Sequence, residues 1–292
     1  MRAYHGRQLL ASLLMLAAAA AAHATVAFDD LDINVVLQAD GSARFTEVWT
    51  VDHDLDSGSE LFRRRDVNGT QRISDFGVTE NGREYHLVNP WNVDAPVKAG
   101  RCGMIENNNF VELCWGVGSA GRHVYTISYT VTSLVRPYLN DRALINYVFC
   151  DAGNMPPRNA RITISRADSA FTKDDVLHLS VNEGNAHGEF YKGKFILTAP
   201  RPMAAEEHLS MRIELPITAF AELDAGAFDM GVTASEMASP MMTDSRAGTY
   251  EMSWQARLYD FYGEWPVLSL LLAIGAVWLM FFVIKKVAIA LA

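Results

Sequence analysis

The chain has 292 residues, of which 50% are hydrophobic and 20% are charged, so it is long enough to bury a sizeable core. Its formal net charge is −9, and residues 25–265 alone hold 21 basic and 34 acidic side chains, a net charge of −13. Charge of this sign disfavours nucleic acid or an anionic lipid surface as the main partner, unless a local basic patch overrides it.

The first predicted element is a cleaved signal peptide over residues 1–24. Arg2 and Arg7 make the start positive, and residues 9–22 form an apolar stretch of mostly leucine and alanine. The sequence AHA at 22–24 fits the rule for cleavage after a small residue. An uncleaved anchor helix is the alternative, but the apolar stretch is shorter than the roughly 20 residues that span a bilayer.

Most of the chain between residues 30 and 216 alternates apolar and polar side chains, the pattern of half-buried β-strands. About ten or eleven short strands follow one another without sustained helical periodicity. Asn81-Gly82 and Lys192-Gly193-Lys194 predict two hairpin turns. The predicted fold class is therefore mainly β, with residues 25–216 forming an extracytoplasmic antiparallel β-sandwich.

Three alternating aspartates follow the second predicted strand. Asp52, Asp54 and Asp56 offer carboxylate oxygens of the kind that Ca²⁺ prefers. The resemblance to an EF-hand loop is poor, because Gly58 falls one position late and Arg63 stands where a bidentate glutamate belongs. Two interpretations remain open, an irregular calcium loop and a solvated acidic loop.

A basic triplet, Arg63-Arg64-Arg65, opens the next predicted strand. Alternation along a strand points Arg64 away from the other two, so the triplet does not form one patch. Because the module is strongly acidic, pairing with neighbouring acids is favoured over binding of a phosphate or a carboxylate polymer.

Several aromatic residues lie on predicted strands, where a core role is more typical than a sugar-stacking platform. These residues are Trp49, Trp91, Trp115, Tyr125 and Tyr129. The histidines are scattered, and the sequence contains neither H-E-x-x-H nor G-x-S-x-G. We therefore predict no catalytic residues and no enzymatic activity, and we expect each histidine to be exposed or hydrogen-bonded.

Cys102, Cys114 and Cys150 lie in the segment predicted to be outside the cytoplasm, where disulfides form. Three pairings are open, and we favour Cys102 with Cys114, which would close a small loop between adjacent strands. Spacing alone does not give the Cα separation that the bond requires. The absence of a C-x-x-C spacing or a paired histidine motif argues against zinc.

The composition changes after Pro216. Residues 217–265 are predicted to be a stalk or juxtamembrane linker, since Ala, Gly, Ser, Thr and Met replace the alternating pattern. Residues 266–284 are uncharged, and as a helix they would span about 28 Å, enough to cross the hydrocarbon core. Lys285 and Lys286 then predict a short cytoplasmic tail at 285–292 by the positive-inside rule.

The order of several motifs resembles one family. Asp40-Gly41 precedes Glu47 in a strand, and Phe62-Arg63 follow in the next. Further along come Trp115 before a glycine turn, Tyr125 and Tyr129, and the segment from Leu144 to Gly153. This order, over roughly residues 30–216, resembles the DUF2207 family of bacterial predicted membrane proteins. The resemblance implies a membrane helix after the module, and it supplies neither a known activity nor catalytic residues.

These predictions together describe a single-pass protein of the bacterial cell membrane, with its module outside the cytoplasm and its C-terminus inside. We expect an interaction or scaffold module of the cell envelope that binds another envelope protein and needs no cofactor. A calcium- or glycan-binding envelope domain is the alternative.

Overall fold

The structure is a computed structural model that describes residues 26–223 and, as backbone, residues 247–249. The gaps within the first range are 55–57, 68–70, 139–140, 152, 154, 182–185, 200–201 and 205–206. The predicted signal peptide, transmembrane helix and cytoplasmic tail lie outside the described residues, as does most of the predicted linker. Within the described ranges, no helix reaches the length and hydrophobicity that crossing a bilayer requires.

The described residues form seventeen β-strands. Their bounds are β1 Ala27–Leu37, β2 Ala43–His53, β3 Glu60–Asp66, β4 Ile73–Glu80, β5 Arg83–Glu84, β6 His86–Leu87, β7 Arg101–Glu106, β8 Phe110–Gly116, β9 Gly121–Val131, β10 Arg136–Tyr138, β11 Arg142–Asp151, β12 Asn159–Arg166, β13 His178–Val181, β14 His187–Tyr191, β15 Lys194–Ala199, β16 His208–Pro216 and β17 Ala247–Thr249. The prediction of a mainly β fold is confirmed.

The strands form three sheets. The large sheet has the order β14-β15-β12-β1-β2-β9-β4-β5, the four-stranded sheet β10-β11-β16-β13, and the five-stranded sheet β17-β3-β8-β7-β6. Two neighbouring pairs are parallel, β1 with β12 and β6 with β7, so the predicted antiparallel arrangement fails at these two pairs and holds for the other described pairs. Alternation with period two is the same in both directions, and the pattern therefore did not show which strands run parallel.

Both predicted hairpin turns are confirmed. Asn81 and Gly82 join β4 to β5, with φ angles of +52° and +77°. Lys192 and Gly193 join β14 to β15, with φ angles of +50° and +73°. Two successive positive φ angles match the right-handed twist of the flanking strands, and asparagine or glycine accepts this backbone at little cost.

The large sheet buries one face. Along β2, the odd-numbered residues from Ala43 to His53 are buried, whereas the even-numbered ones from Arg44 to Asp52 are exposed or half-buried. The same alternation continues in β9, so the inner face extends across neighbouring strands. This face is the apolar surface that the other two sheets cover.

Aromatic rings connect the inner face to both smaller sheets. The ring of Phe45 in β2 lies 5.8 Å from that of Tyr147 in β11 of the four-stranded sheet. The ring of Trp49, also in β2, lies 4.9 Å from that of Trp115 in β8 of the five-stranded sheet. All four side chains are fully buried, so the core runs continuously between the large sheet and the two smaller ones.

The folded module extends past the boundary predicted at Pro216. A 3₁₀ turn at Ile217–Ala219 follows β16, Phe220 is buried, and the backbone N–H of Glu222 donates to the carbonyl of Ala39. Farther on, β17 pairs with β3. Low periodicity suggested a linker, but a single buried aromatic residue and a three-residue strand are too short to create a period.

Candidate functional site

A buried ion cluster joins the three sheets. Glu47 comes from β2, Arg63 and Arg65 come from β3, and the carbonyl of Phe149 comes from β11; all four residues are fully buried. Arg65 Nη2 lies 2.7 Å from Glu47 Oε1, and Arg63 Nε lies 3.2 Å from Glu47 Oε2. Both arginines also donate to the Phe149 carbonyl, at 2.8 Å from Arg63 Nη2 and 3.0 Å from Arg65 Nη1.

Two aromatic side chains complete the shell around the Glu47 carboxylate. The Tyr129 hydroxyl donates to Oε1 at 2.5 Å, and Trp49 Nε1 donates to Oε2 at 2.8 Å. Burial alone would raise the pKa of Glu47, but Arg63 and Arg65, together with these two hydrogen bonds, lower it to about 2. The carboxylate is therefore ionised at neutral pH and shielded from solvent, which suits a structural link between sheets.

The remaining member of the triplet, Arg64, points the other way, as alternation predicted. Its Nε lies 3.3 Å from Asp66 Oδ1, and its Nη1 lies 3.8 Å from Glu112 Oε1. Its guanidinium also covers the ring of Phe110 at 3.9 Å. The predicted pairing of the arginines with acids is confirmed, and the acid that pairs with Arg63 and Arg65 is Glu47.

A second buried ion pair lies on the opposite face of the five-stranded sheet. Lys98 Nζ lies 3.2 Å from Glu60 Oε2, and Trp91 Nε1 donates to the same oxygen at 2.7 Å. Glu60 is 1% exposed, and burial raises its pKa although Lys98 and Trp91 act in the opposite direction. These contacts join β3 to the segment between β6 and β7.

We call residues 87–98 the anchored loop. The backbone N–H of Val88 donates to the carbonyl of Cys102 at 2.7 Å, and that of Trp91 donates to the carbonyl of Met104 at 3.0 Å. The loop lies directly on the sheet at Gly103, where a Cβ atom would collide with the carbonyl of Val88. Glycine is therefore required for this approach, and the loop is held by its backbone as well as by Glu60.

The anchored loop presents apolar side chains to solvent. Six large apolar residues are exposed in the described part of the chain, and three of them are Leu87, Val93 and Val97. Their exposed fractions are 47%, 39% and 56%. Scattered single residues of this kind need no explanation, but three of the six lie on one short anchored segment. No feature of the sequence alone distinguished this loop, because its anchor, Glu60, is distant in the chain.

The predicted calcium loop is only partly described. Asp52 is the next-to-last residue of β2 and Asp54 follows the strand, and both side chains are exposed on either side of the buried His53. Asp56 lies outside the described residues. Among the residues that are described, no group of three or more acidic, histidine or cysteine side chains could hold a metal ion.

The structure does not contain the predicted bond between Cys102 and Cys114, since all three cysteines are free. Cys114 in β8 stands opposite Gly103, whereas Cys102 in β7 stands opposite Trp115. Neighbouring residues of a strand point to opposite faces, so the two thiols lie on opposite sides of the sheet. Cys102 and Cys114 are close in the sequence, which suggested the disulfide, but the register of β7 against β8 places their side chains on opposite faces of the sheet.

The strand aromatics are core residues, as the more typical interpretation held. Trp49, Trp115, Tyr125 and Tyr129 are at most 1% exposed, and Trp91 is 8% exposed, so they offer no sugar-stacking platform. The expectation for histidines holds for His123, which lies 2.6 Å from Glu80. It fails for His53, which is 1% exposed with neither ring nitrogen hydrogen-bonded to a described residue.

A polar cavity of about 460 Å³ lies near the end of β7 and the start of β4. It is lined by Val67, Gln71, Arg72, Ile73, Glu106, Asn107, Asn108 and Val111. Its amide and charged side chains are the kind that hydrogen-bond small polar ligands.

The fold and these sites define a mainly β module whose buried charges join its sheets and whose anchored loop exposes three large apolar side chains. Residues 28–200 match the N-terminal domain of the predicted membrane protein family DUF2207. The match covers more than half of the chain, and the chain belongs to this family. The family description supports association with a membrane.

Comparison with curated proteins found no match. Among solved structures, a candidate protease from Parabacteroides distasonis is 14% identical, with a TM-score of 0.36 over 65% of this chain and 40% of that one. An M1 zinc metallopeptidase from Deinococcus radiodurans is 12% identical, with a TM-score of 0.32 over 64% and 42%. The present chain thus spans less than half of either protein, and similarity this low says nothing about activity.

Proposed function

We propose that this protein is a membrane-anchored interaction module of the bacterial cell envelope. Its module lies outside the cytoplasm, a single helix at residues 266–284 anchors it, and the anchored loop binds another envelope protein. In this function the module itself performs no chemistry. The observation that supports the proposal is the group of three exposed apolar side chains, Leu87, Val93 and Val97, on a segment anchored by a buried ion pair.

A fixed apolar surface suits protein binding because little conformational entropy is lost when the partner docks. The backbone contacts of Val88 and Trp91 hold the loop before any partner arrives. Leu87 also belongs to β6, which is the last strand of the five-stranded sheet. An edge strand has backbone groups free to pair with an incoming strand, so apolar contacts and strand addition are available side by side.

Site-specific photocrosslinking in the native membrane tests this proposal. A photoreactive residue is placed at Val93 or Val97 of the full-length protein, and at Val124 or Leu177 in matched controls. The controls are similarly exposed, at 41% and 45%, but belong to other segments, Val124 to β9 and Leu177 to the residues just before β13. We expect one discrete adduct from both loop positions and none from the controls.

The same adduct should disappear when Leu87 is changed to serine while Val93 carries the crosslinker. Equal labelling at all four positions, or no adduct from the loop, would show that the loop is not the binding surface.

A second candidate function is binding of calcium or a glycan. The exposed Asp52 and Asp54 favour calcium, with Asp56 as a third ligand, and the polar cavity lined by Asn107 favours a sugar. Thermal unfolding of the full chain is measured with millimolar calcium and, separately, with envelope oligosaccharides. A calcium-dependent rise in the unfolding midpoint that Asp54→Ala abolishes would support calcium binding, and an oligosaccharide-dependent rise that Asn107→Ala abolishes would support glycan binding. If neither calcium nor oligosaccharide changes the midpoint, this function is rejected.

A further inference from the structure

His123 in β9 is held between two hydrogen-bond acceptors. Its Nδ1 lies 2.6 Å from Oε1 of Glu80, the last residue of β4, and its Nε2 lies 2.9 Å from the backbone carbonyl of Ser119, between β8 and β9. The residue is 8% exposed, so little water competes for either contact. His123 therefore links the end of β4 to the turn that precedes its own strand.

Each of these two contacts needs a hydrogen. A carbonyl oxygen and a carboxylate only accept, whereas a neutral imidazole donates from only one of its nitrogens. Making both contacts requires two protons on His123 and Glu80 together, wherever the proton of the 2.6 Å contact resides. With one proton fewer, a nitrogen lone pair would face an oxygen of Glu80 or of Ser119, and that contact would become repulsive.

Glu80 connects His123 to the start of the anchored loop. The hydroxyl of Tyr85 donates to Glu80 Oε2 at 2.7 Å, and the backbone N–H of Tyr85 donates to the carbonyl of Val78 at 2.9 Å. Burial, and then the hydrogen bond to Glu80, raise the pKa of Tyr85, so its hydroxyl stays protonated and remains a donor. Tyr85 stands two residues before Leu87, the first residue of the loop.

Ser119 connects His123 to the other end of the loop. Its neighbour Gly118 lies against Ala99, where an added Cβ atom would be 3.5 Å from the Cβ of Ala99. Ala99 directly follows Lys98, the last residue of the loop. The two contacts of the His123 ring therefore lead to both ends of the anchored loop.

We propose that His123 is a pH-sensitive clamp on the anchored loop, closed while His123 and Glu80 together hold two protons and open when one is lost. This inference rests on the proposed function, in which the loop binds an envelope protein. In the closed state both ends of the loop are fixed, so a partner binds a preorganised segment and less conformational entropy is lost. As the pH rises and the imidazole loses its charge, the Ser119 end or the Tyr85 end is released and binding weakens.

The titratable side chains that face His123 are compatible with an imidazolium. Glu80 of β4 supplies a negative charge beside the ring, and Tyr85 reaches the same carboxylate. Tyr125 of β9 stacks on the ring at a centroid distance of 5.6 Å, and burial raises its pKa, so it stays neutral. His53 of β2 lies on the same inner face, and burial, followed by the charge of His123, lowers its pKa below 6.5.

Hydrogen exchange of the full-length protein in detergent, measured by mass spectrometry, tests the clamp without any partner. Exchange of residues 87–98 is compared at about pH 6.5 and about pH 8.5, with labelling times scaled for the intrinsic exchange rate. His53 is mostly uncharged at both values, so the comparison reports on His123. We expect the loop to exchange about tenfold faster at the higher pH, as for the loss of one charge-assisted hydrogen bond, and residues 187–199 to exchange equally at both.

Three variants separate a clamp from a merely structural histidine. His123→Gln does not titrate, so its loop should exchange at one rate at both pH values. Glu80→Gln removes the negative charge that favours the imidazolium, so the change in exchange should occur at lower pH than in the wild type. His187→Gln, at an exposed histidine of β14, is the matched control and should keep the wild-type response.

Photocrosslinking from Val93 at the same two pH values then links the clamp to binding. A stronger adduct at the lower pH, with the difference lost in His123→Gln, supports the proposal. Equal exchange of the loop at both pH values, equal adducts at both, or a wild-type response from His123→Gln overturns it. If exchange changes with pH but neither pH gives an adduct, the clamp is present and the proposed function of the loop fails instead.

Discussion

Replacing Glu47 with glutamine should destabilise the module by about 3 kcal/mol at pH 7. The substitution keeps the shape of the side chain but removes the negative charge between two fully buried arginines. The pKa of Glu47 falls from 4.5 to about 2 in the folded protein. At about 1.36 kcal/mol per pKa unit, this difference corresponds to about 3 kcal/mol in favour of the ionised folded state.

An independent argument gives a similar magnitude. Removing one partner of a buried ion pair costs about 3–5 kcal/mol, because the other charge stays buried without compensation. The amide of the glutamine would also direct N–H groups towards the donors of Arg65 or Trp49, both of which now donate to the carboxylate. A loss of about 3 kcal/mol lowers the unfolding midpoint of a domain of this size by roughly 6–12 °C.

The assay is denaturant unfolding of the full chain in detergent, followed by the fluorescence of the buried Trp49 and Trp115. Glu84→Gln, at an exposed position, is the control and should change stability by less than about 0.5 kcal/mol.

Because the pKa of Glu47 is lower in the folded than in the unfolded protein, its ionised carboxylate stabilises the fold fully above about pH 4.5. This stabilisation disappears as the pH falls towards 2. The difference in free energy of unfolding between the wild type and Glu47→Gln should therefore become smaller as the pH falls from about 4.5 towards 2. A difference in free energy of unfolding below about 1 kcal/mol at pH 7, or a difference that does not change with pH, would show that the Glu47 carboxylate does not stabilise the fold in this way.

Two further predictions concern buried groups. The thiols of Cys102, Cys114 and Cys150 should react with a thiol reagent only after unfolding, and then as three free thiols per chain. Burial raises the pKa of each thiol, that of Cys102 to about 11, so few reactive thiolates form in the folded protein. Detection of a Cys102–Cys114 disulfide by mass spectrometry would contradict the strand register. Burial also lowers the pKa of His53 below 6.5, so the unfolded state takes up a proton first and stability should fall as the pH drops below about 6.5. His53→Leu should reduce this loss, whereas the exposed His86→Leu should leave it unchanged.

Local patterns predicted the parts of the fold that depend on neighbours in the chain. Asn81-Gly82 marked a hairpin because its backbone preference is intrinsic, and alternation correctly separated Arg64 from Arg63 and Arg65. The parallel pairing of β1 with β12 did not follow from any local pattern, since it joins segments more than a hundred residues apart.

In the candidate sites, too, the sequence predicted features that depend on neighbouring residues and missed those that depend on which strands pair. Glu47 stands at an inward position between Phe45 and Trp49, and a charge in that position was a signal of a buried partner. The identity of the partner required the register of β3 against the core. The pairing of Glu60 with Lys98 and the separation of Cys102 from Cys114 likewise depend on which strands become neighbours.

The junction of the three sheets also sets an order of events during synthesis of the chain. Both guanidinium groups of the junction donate to the carbonyl of Phe149, which lies 84 residues after Arg65 and 86 after Arg63. A chain that emerges from the ribosome with its N-terminus first exposes these arginines well before their last partner arrives. Until then they stay hydrated, because burying them without the carbonyl would leave donors unsatisfied. The core therefore closes late, and chaperones that protect exposed strand edges have a long interval in which to act.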